Sequence, residues 1–267
     1  MERPRVNLLA NAVMWPTFLL MSAVTVVLGV AVGTITAPFD RARRAVAWVD
    51  HLVWGRLLFL FGPLWSVRRS IPPLGPGPYV VVSNHGSLID IPLNMGLPLP
   101  MRVLAREGLF RVPVMGWYMR YSRQILVDGS SRDGVDQTLD ACRDAIANGV
   151  SVLVFPEGTR TEDGAIGVFH KGAFKLAAEL GVPVLPVVID GSHQALPKGS
   201  PGLVLPYCRF RMRALEPIPV DGTVATRVLA RRVRDRMVAE LDRMRAEGGV
   251  VLAGNVGRGV GAEPWSS

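Results

Sequence analysis

The sequence predicts an α/β fold, a mixed and mostly parallel sheet flanked by helices, preceded by an apolar helical anchor. Three observations predict it. From residue 79 onward, short β-branched runs alternate with stretches of helical periodicity. Those runs are apolar at nearly every position, the pattern of strands covered on both faces. Between Val6 and Phe39 no residue carries a charge.

The anchor comes first. Val13 to Ile35 is almost wholly apolar and long enough, as a helix, to cross a hydrocarbon layer of roughly 30 Å. A cleaved signal peptide competes with this reading, but the stretch exceeds the usual apolar core of about 7–15 residues. Its small-residue site at Thr36-Ala37 is also followed at once by Pro38, so a retained anchor is favoured. Pro16 and Gly29 are candidate kinks, and the second apolar run, Leu57 to Val67, is too short to span alone. A re-entrant or interfacial helix pair therefore stands beside a simple crossing. Arg41, Arg43, Arg44 and Arg56 follow the first run, against Arg3 and Arg5 before it, which places the C-terminal bulk on the cytoplasmic side of the cell membrane.

Ile71-Pro72-Pro73 and Gly75-Pro76-Gly77-Pro78 read as a linker, so three parts are expected: anchoring helices over 1–70, a catalytic domain over 71–247, and a disordered Gly-rich tail over 248–267. Within the middle part, strands are expected at Tyr79–Val82, Arg102–Leu104, Gln124–Val127, Ser151–Phe155 and Val184–Ile189. Val135, Leu139, Cys142 and Ile146 recur at helical spacing, and a short helix from Phe174 to Leu180 ends at Gly181. Leu229, Val233, Met237, Leu241 and Met244 mark an amphipathic helix with an arginine-rich outer face, read as core-packing rather than membrane-lying.

Composition narrows the partners. A net charge of +8 coexists with 49% hydrophobic residues, a pairing that suits an anionic lipid surface. Nucleic acid is disfavoured, because aromatic residues make up only 7% and no zinc-finger or stacking pattern occurs. Cys142 and Cys208 lie far apart with no CxxC, and the four histidines form no HExxH, so neither a disulfide framework nor a metal site is indicated.

Polar residues gather after two of the expected strands, where α/β sheets carry their sites. Ser83-Asn84-His85-Gly86-Ser87-Leu88-Ile89-Asp90 follows the first strand. Residues five apart on one helix point roughly 140° away from each other, so His85 and Asp90 can meet only with His85 in a loop and Asp90 in the next helix's first turn. Asp90 would then hold one imidazole nitrogen and leave the other to deprotonate an alcohol. The bland alternative is a loop histidine and a capping aspartate. Ser87 is a conceivable nucleophile, but no Gly-x-Ser-x-Gly elbow supports it. Phe155-Pro156-Glu157-Gly158-Thr159-Arg160 follows the fourth strand and joins a turn to a carboxylate and a guanidinium suited to phosphate. His193 lies in a polar turn, Asp190-Gly191-Ser192-His193.

Asn-His-x-x-x-x-Asp followed by Phe-Pro-Glu-Gly-Thr-Arg resembles the 1-acylglycerol-3-phosphate acyltransferases, from about Tyr79 to Gly191. Arg106 with Leu109 to Trp117, His170-Lys171-Gly172-Ala173-Phe174 and Val182 to Val187 resemble further blocks of that family. The resemblance implies the glycerol-3-phosphate acyltransferase-like fold and transfer of a fatty acyl group from acyl-CoA or acyl-carrier protein to the sn-2 hydroxyl of 1-acylglycerol 3-phosphate, with no cofactor. It further implies His85 as base, Asp90 as its orienter, Glu157 on the acceptor's glycerol, and Arg160 with Arg106 on its phosphate. Ser87, Gly158, Thr159 and Lys171 fall in the same substrate-binding segments. Two positions depart from the family: Arg106 stands where Lys is usual, and Gly129 where an Arg is expected, with Arg132 three residues on. Another acceptor (glycerol 3-phosphate, another lysophospholipid or a glycolipid), a thioesterase, and a non-catalytic lipid-binding protein are the alternatives.

Overall fold

A computed structural model describes residues 6–60, 65–128, 131–220 and 224–248. Two helices open the chain, α1 (Leu8–Thr36) and α2 (Arg44–Leu60), followed by β1 (Trp65–Ser70) and β2 (Val80–Ser83). Next come α3 (Asp90–Asn94), β3 (Met101–Arg106), α4 (Glu107–Phe110), α5 (Met115–Tyr121), β4 (Ile125–Val127) and α6 (Arg132–Ala147). The remainder is β5 (Ser151–Val154), α7 (Gly172–Leu180), β6 (Val184–Asp190), α8 (Ser192–Ala195), β7 (Cys208–Ala214) and α9 (Thr226–Ala246).

The strands form one seven-stranded sheet in the order β1-β7-β6-β2-β5-β3-β4. All neighbours are parallel except β6 and β7. All five expected strands are present within one or two residues of their expected ends, and β2, β5 and β6 lie side by side at the centre. Side chains alternate between two cores. Val81, Leu153, Leu185 and Val187 join α3 and the N-terminal end of α1 on one face, while Val80, Val82, Val152, Val184 and Val188 pack under α6, α7 and α9 on the other. Each such fully buried Val or Leu contributes on the order of 1.5–3 kcal/mol of hydrophobic stabilisation.

α9 buries all five residues that mark its stripe, Leu229, Val233, Met237, Leu241 and Met244, so it is the core-packing helix that the spacing predicts. Ser131 caps α6 by accepting from Gly134 N, and Gly181 at φ 61° stops α7.

Two strands escape the sequence reading. β1 alternates buried and exposed residues, with Arg68 and Arg69 breaking the apolar pattern, and its partner strand among the described residues is β7, far along the chain. β7 is the arginine-rich Cys208-Arg-Phe-Arg-Met-Arg-Ala214, whose apolar residues face the core at every second position. In its described residues, the apolar run Leu57 to Val67 is therefore divided between a helix and a strand. Its start ends α2, its end begins β1, and the sheet reaches across the boundary expected at residue 70.

α1 is a single helix through Pro16 and Gly29. Ala10, Met14, Thr25, Gly29 and Gly33 form its buried stripe, while Leu8, Leu9, Val13, Trp15, Leu19, Leu20, Val27, Leu28 and Ile35 face outward. Gly29 serves close approach, since a Cβ there would lie 2.0 Å from Tyr118 Oη of α5. α1 alone is long and apolar enough among the described residues to cross a bilayer. The tail expected to be disordered lies, after Gly248, outside the described residues, as does Gly129.

Candidate active site

Strand register brings the two polar segments together. β2 and β5 are parallel neighbours with Val82 opposite Val154, so the residues three further along, His85 and Glu157, leave the sheet abreast. Glu157 Oε1 accepts from the backbone N–H of His85 at 2.9 Å, and Thr161 N donates to His85 O at 2.8 Å. On the other side of β2, Asn84 locks the strand end to β6: its Oδ1 accepts from Ile189 N at 2.8 Å and its Nδ2 donates to Ile189 O at 2.8 Å. A side-chain amide here continues the ladder that the backbone has left.

His85 lies in the loop and Asp90 opens α3, the arrangement that a five-residue separation requires. Asp90 is fully buried, and its Oδ2 meets His85 Nδ1 at 3.1 Å while accepting from Gly86 N and Ser87 N at 2.7 Å each. A carboxylate that already accepts two backbone N–H groups assigns the Nδ1 proton to the histidine, which leaves Nε2 as the basic nitrogen. The imidazole stacks on Phe155, ring centres 4.0 Å apart and 20° from parallel. Its side chain retains 15% exposure, enough for an acceptor to reach it.

The other predicted site residues divide. Arg106, at the end of β3, donates through Nη2 to the carbonyl of Gly158, which ties it to the Phe155–Arg160 turn. Thr159, Arg160 and Lys171 lie on the accessible surface of the loops after β5, and their side chains have no partner among the described residues. Ser87 does not face that surface. It is fully buried and its hydroxyl donates to Leu196 O at 3.0 Å, so it is unavailable either as nucleophile or as substrate ligand. Glu157 is also buried, and its second oxygen accepts from Gly167 N at 2.9 Å. Burial pushes its carboxyl above the usual carboxylate range, while these two backbone N–H bonds pull the other way.

Some supporting groups carried little signal in the sequence. His193, read there as part of a polar turn, lies in α8 and packs against the loop that carries His85, since a Cβ on Gly86 would lie 2.8 Å from His193 Cβ and one on Gly164 2.4 Å from His193 Cε1. Burial first, then the Arg245 charge, hold its imidazole below the usual histidine range. Arg245 of α9 donates to Gly164 O at 2.8 Å and pairs with Asp190 at 3.4 Å. Arg234 of the same helix donates to Gly167 O and Ile166 O. Both arginines read in sequence as part of a solvated face. Nothing in their spacing marks the partners, which are backbone carbonyls some sixty or more residues away.

Comparison with known proteins agrees with this geometry. A family model described as Acyltransferase matches residues 67–190. A human 1-acyl-sn-glycerol-3-phosphate acyltransferase alpha is 32% identical over 197 residues, covering 71% of this chain and 68% of that protein. The chain belongs to the 1-acyl-sn-glycerol-3-phosphate acyltransferase family. A chloroplastic member from Brassica napus is 36% identical over 168 residues, 62% of this chain and 48% of its own, so the chain spans about half the length of that relative. Among solved structures, the 1-acyl-sn-glycerophosphate (LPA) acyltransferase PlsC from Thermotoga maritima superposes with a TM-score of 0.71 at 27% identity, over 88% of this chain and 96% of that one. The acyltransferase-family match begins at residue 67, inside β1, and ends before α9.

Proposed function

We propose that this protein transfers a fatty acyl group from a thioester, acyl-CoA or acyl-carrier protein, to the sn-2 hydroxyl of 1-acylglycerol 3-phosphate, giving phosphatidic acid without a cofactor. The observation that carries the reading is the contact of His85 Nδ1 with a buried Asp90 whose same oxygen holds Gly86 N and Ser87 N. Nε2 takes the proton of the acceptor hydroxyl as its oxygen bonds to the thioester carbonyl carbon. The carbon–sulfur bond then breaks, and the leaving thiolate takes the proton back from the imidazolium. Asp90 stabilises that imidazolium and fixes the ring. The buried Ser87 argues for direct transfer, with no acyl-enzyme. Arg106, Arg160 and Lys171 supply the positive charge for the acceptor's phosphate, with Gly158 and Thr159 forming the turn between them.

The outward apolar face of α1 docks the domain on the cell membrane from which the lysolipid comes. Exposed Arg41, Arg44 and Arg56 beyond α1 favour a cytoplasmic catalytic domain. Thiol release from a long-chain acyl-CoA or acyl-carrier protein, with and without lysophosphatidic acid, tests the reading on detergent-solubilised wild type and His85→Ala. Acceptor-dependent release that yields phosphatidic acid and falls by about 10³-fold in the variant supports it. Release indifferent to the acceptor would instead identify a thioesterase, and activity retained by His85→Ala would remove the base.

A further inference from the structure

Family resemblance assigns Glu157 to the acceptor's glycerol, but the fold employs it otherwise. It is 9% exposed, and each carboxylate oxygen is taken by a backbone donor: Oε1 by His85 N and Oε2 by Gly167 N, both at 2.9 Å. Both oxygens are aimed at buried backbone N–H groups, so turning the carboxylate toward a substrate hydroxyl would orphan those donors at a cost of roughly 1–3 kcal/mol each. The loop on its far side is itself held. Arg234 of α9 donates through Nε to Gly167 O at 2.6 Å and through Nη2 to Ile166 O at 2.9 Å. The planar guanidinium fork thus spans two consecutive carbonyls, a geometry that lysine cannot reproduce. Gly167 is close-packed here, since a Cβ would sit 3.2 Å from Glu157 Oε2.

We propose that Arg234 and Glu157 are positioning residues that act on His85 through one continuous relay. The relay runs from Arg234 to the Ile166 and Gly167 carbonyls, from the Gly167 N–H to Glu157, and from Glu157 to the His85 N–H. Asp90 fixes the rotation of the imidazole; Glu157 fixes the height of the backbone that carries it. α9 lies outside the segment that the family model matches, so a helix beyond the motifs sets the catalytic base. This inference rests on the reading of His85 as the base.

The relay and a substrate-contact role differ in what they change. Displacing a base by about an ångström can cost on the order of 100-fold in rate while acceptor binding is untouched. In the assay above, Glu157→Gln, whose amide puts a second donor against a backbone N–H, is expected to lose about 100-fold in kcat, and Arg234→Ala about 10-fold. Acceptor KM should stay within about twofold in both, and the double variant should lose less than the product of the two, because both cut one chain. Arg234→Lys should recover part of the loss. Arg231→Ala, on the outer face of α9 with Asp235 as its one ion-pair partner among the described residues, at 3.8 Å, should behave as wild type. Amide hydrogen exchange supplies a readout independent of turnover: Glu157→Gln and Arg234→Ala should speed exchange in peptides covering residues 83–90.

A Glu157→Gln enzyme with raised acceptor KM and intact kcat would return Glu157 to the substrate and overturn the proposal. Wild-type kcat and unchanged exchange in a folded Arg234→Ala would cut α9 out of it. Should Arg234→Ala fail to fold, Gly167→Ala leaves α9 intact and crowds the Glu157 carboxylate, with the same two outcomes deciding. Full activity in His85→Ala would sink the base itself, and would be distinguishable because the exchange result reports on the link whether or not His85 is catalytic.

Discussion

The loops around His85 and the seam between α1 and α5 are built by opposite means. Around His85, side chains hold backbone: Asp90 accepts from Gly86 N and Ser87 N, Glu157 from His85 N and Gly167 N, and Asn84 from Ile189 N. Along the seam, backbone makes room for side chains. Gly29 admits Tyr118, and Gly33 admits Arg43 and Tyr121, with Arg43 donating to Tyr121 Oη at 3.0 Å and lying over its ring at 4.3 Å. The first region is vulnerable to a change of hydrogen-bonding capacity at constant shape, the second to a change of shape at constant polarity. That contrast makes the two regions separable by experiment.

The largest effect is expected at Asp90. Among the described residues its Oδ1 has no partner, so in Asp90→Asn the amide oxygen can take over the three donors while the fold survives. The loss of charge opposite the imidazolium should then lower kcat by about 10²–10⁴-fold with little change in melting temperature. A variant that melts early would mean instead that Asp90 is chiefly a structural acceptor. Asn84→Ala comes next. It orphans a buried N–H and carbonyl of Ile189 and should cost roughly 2–4 kcal/mol in denaturant unfolding, where a loss below about 0.5 kcal/mol would contradict the clamp.

Steric change at the seam is milder and spares the chemistry. Gly29→Val should destabilise by about 1–3 kcal/mol by pushing α1 from Tyr118, with acceptor KM and kcat in detergent close to wild type. Equal loss of stability and kcat would show the two regions to be coupled. The smallest effect is a pH dependence. Burial pushes the Asp50 carboxyl up to about 7, against hydrogen bonds from Tyr118 at 2.6 Å and Gln124 at 3.1 Å. A carboxyl raised in the folded state binds more protons there than in the unfolded chain. Stability is therefore greatest below the ordinary carboxylate pKa and falls as pH rises from there through about 7. Asp50→Asn should flatten that slope; an unchanged slope would place the titration elsewhere.

Much of this was legible in the chain itself, and the reason is periodicity. The five expected strands announce themselves by β-branched runs, and α9 by five apolar residues at helical spacing, because local patterns report burial directly. The His85–Asp90 pairing was legible too, since helix geometry allows five-residue partners to meet only across a loop–helix junction. β1 and β7 were not. Their arginines hide the alternation, and β1 is paired with β7, far along the chain, while β7 lies between β1 and β6. Ser87 looked like a ligand because its neighbours are, yet one residue's rotation turns its hydroxyl to Leu196.

The sequence by itself determined which residue types meet at the ends of the central strands, because parallel neighbours of similar length must deliver their following loops side by side. Only the tertiary structure decided what those residues hold. Whether Glu157 faces a substrate or a backbone amide, and whether Arg234 faces water or Gly167, depends on contacts between segments distant in the chain, whose distances no local spacing encodes.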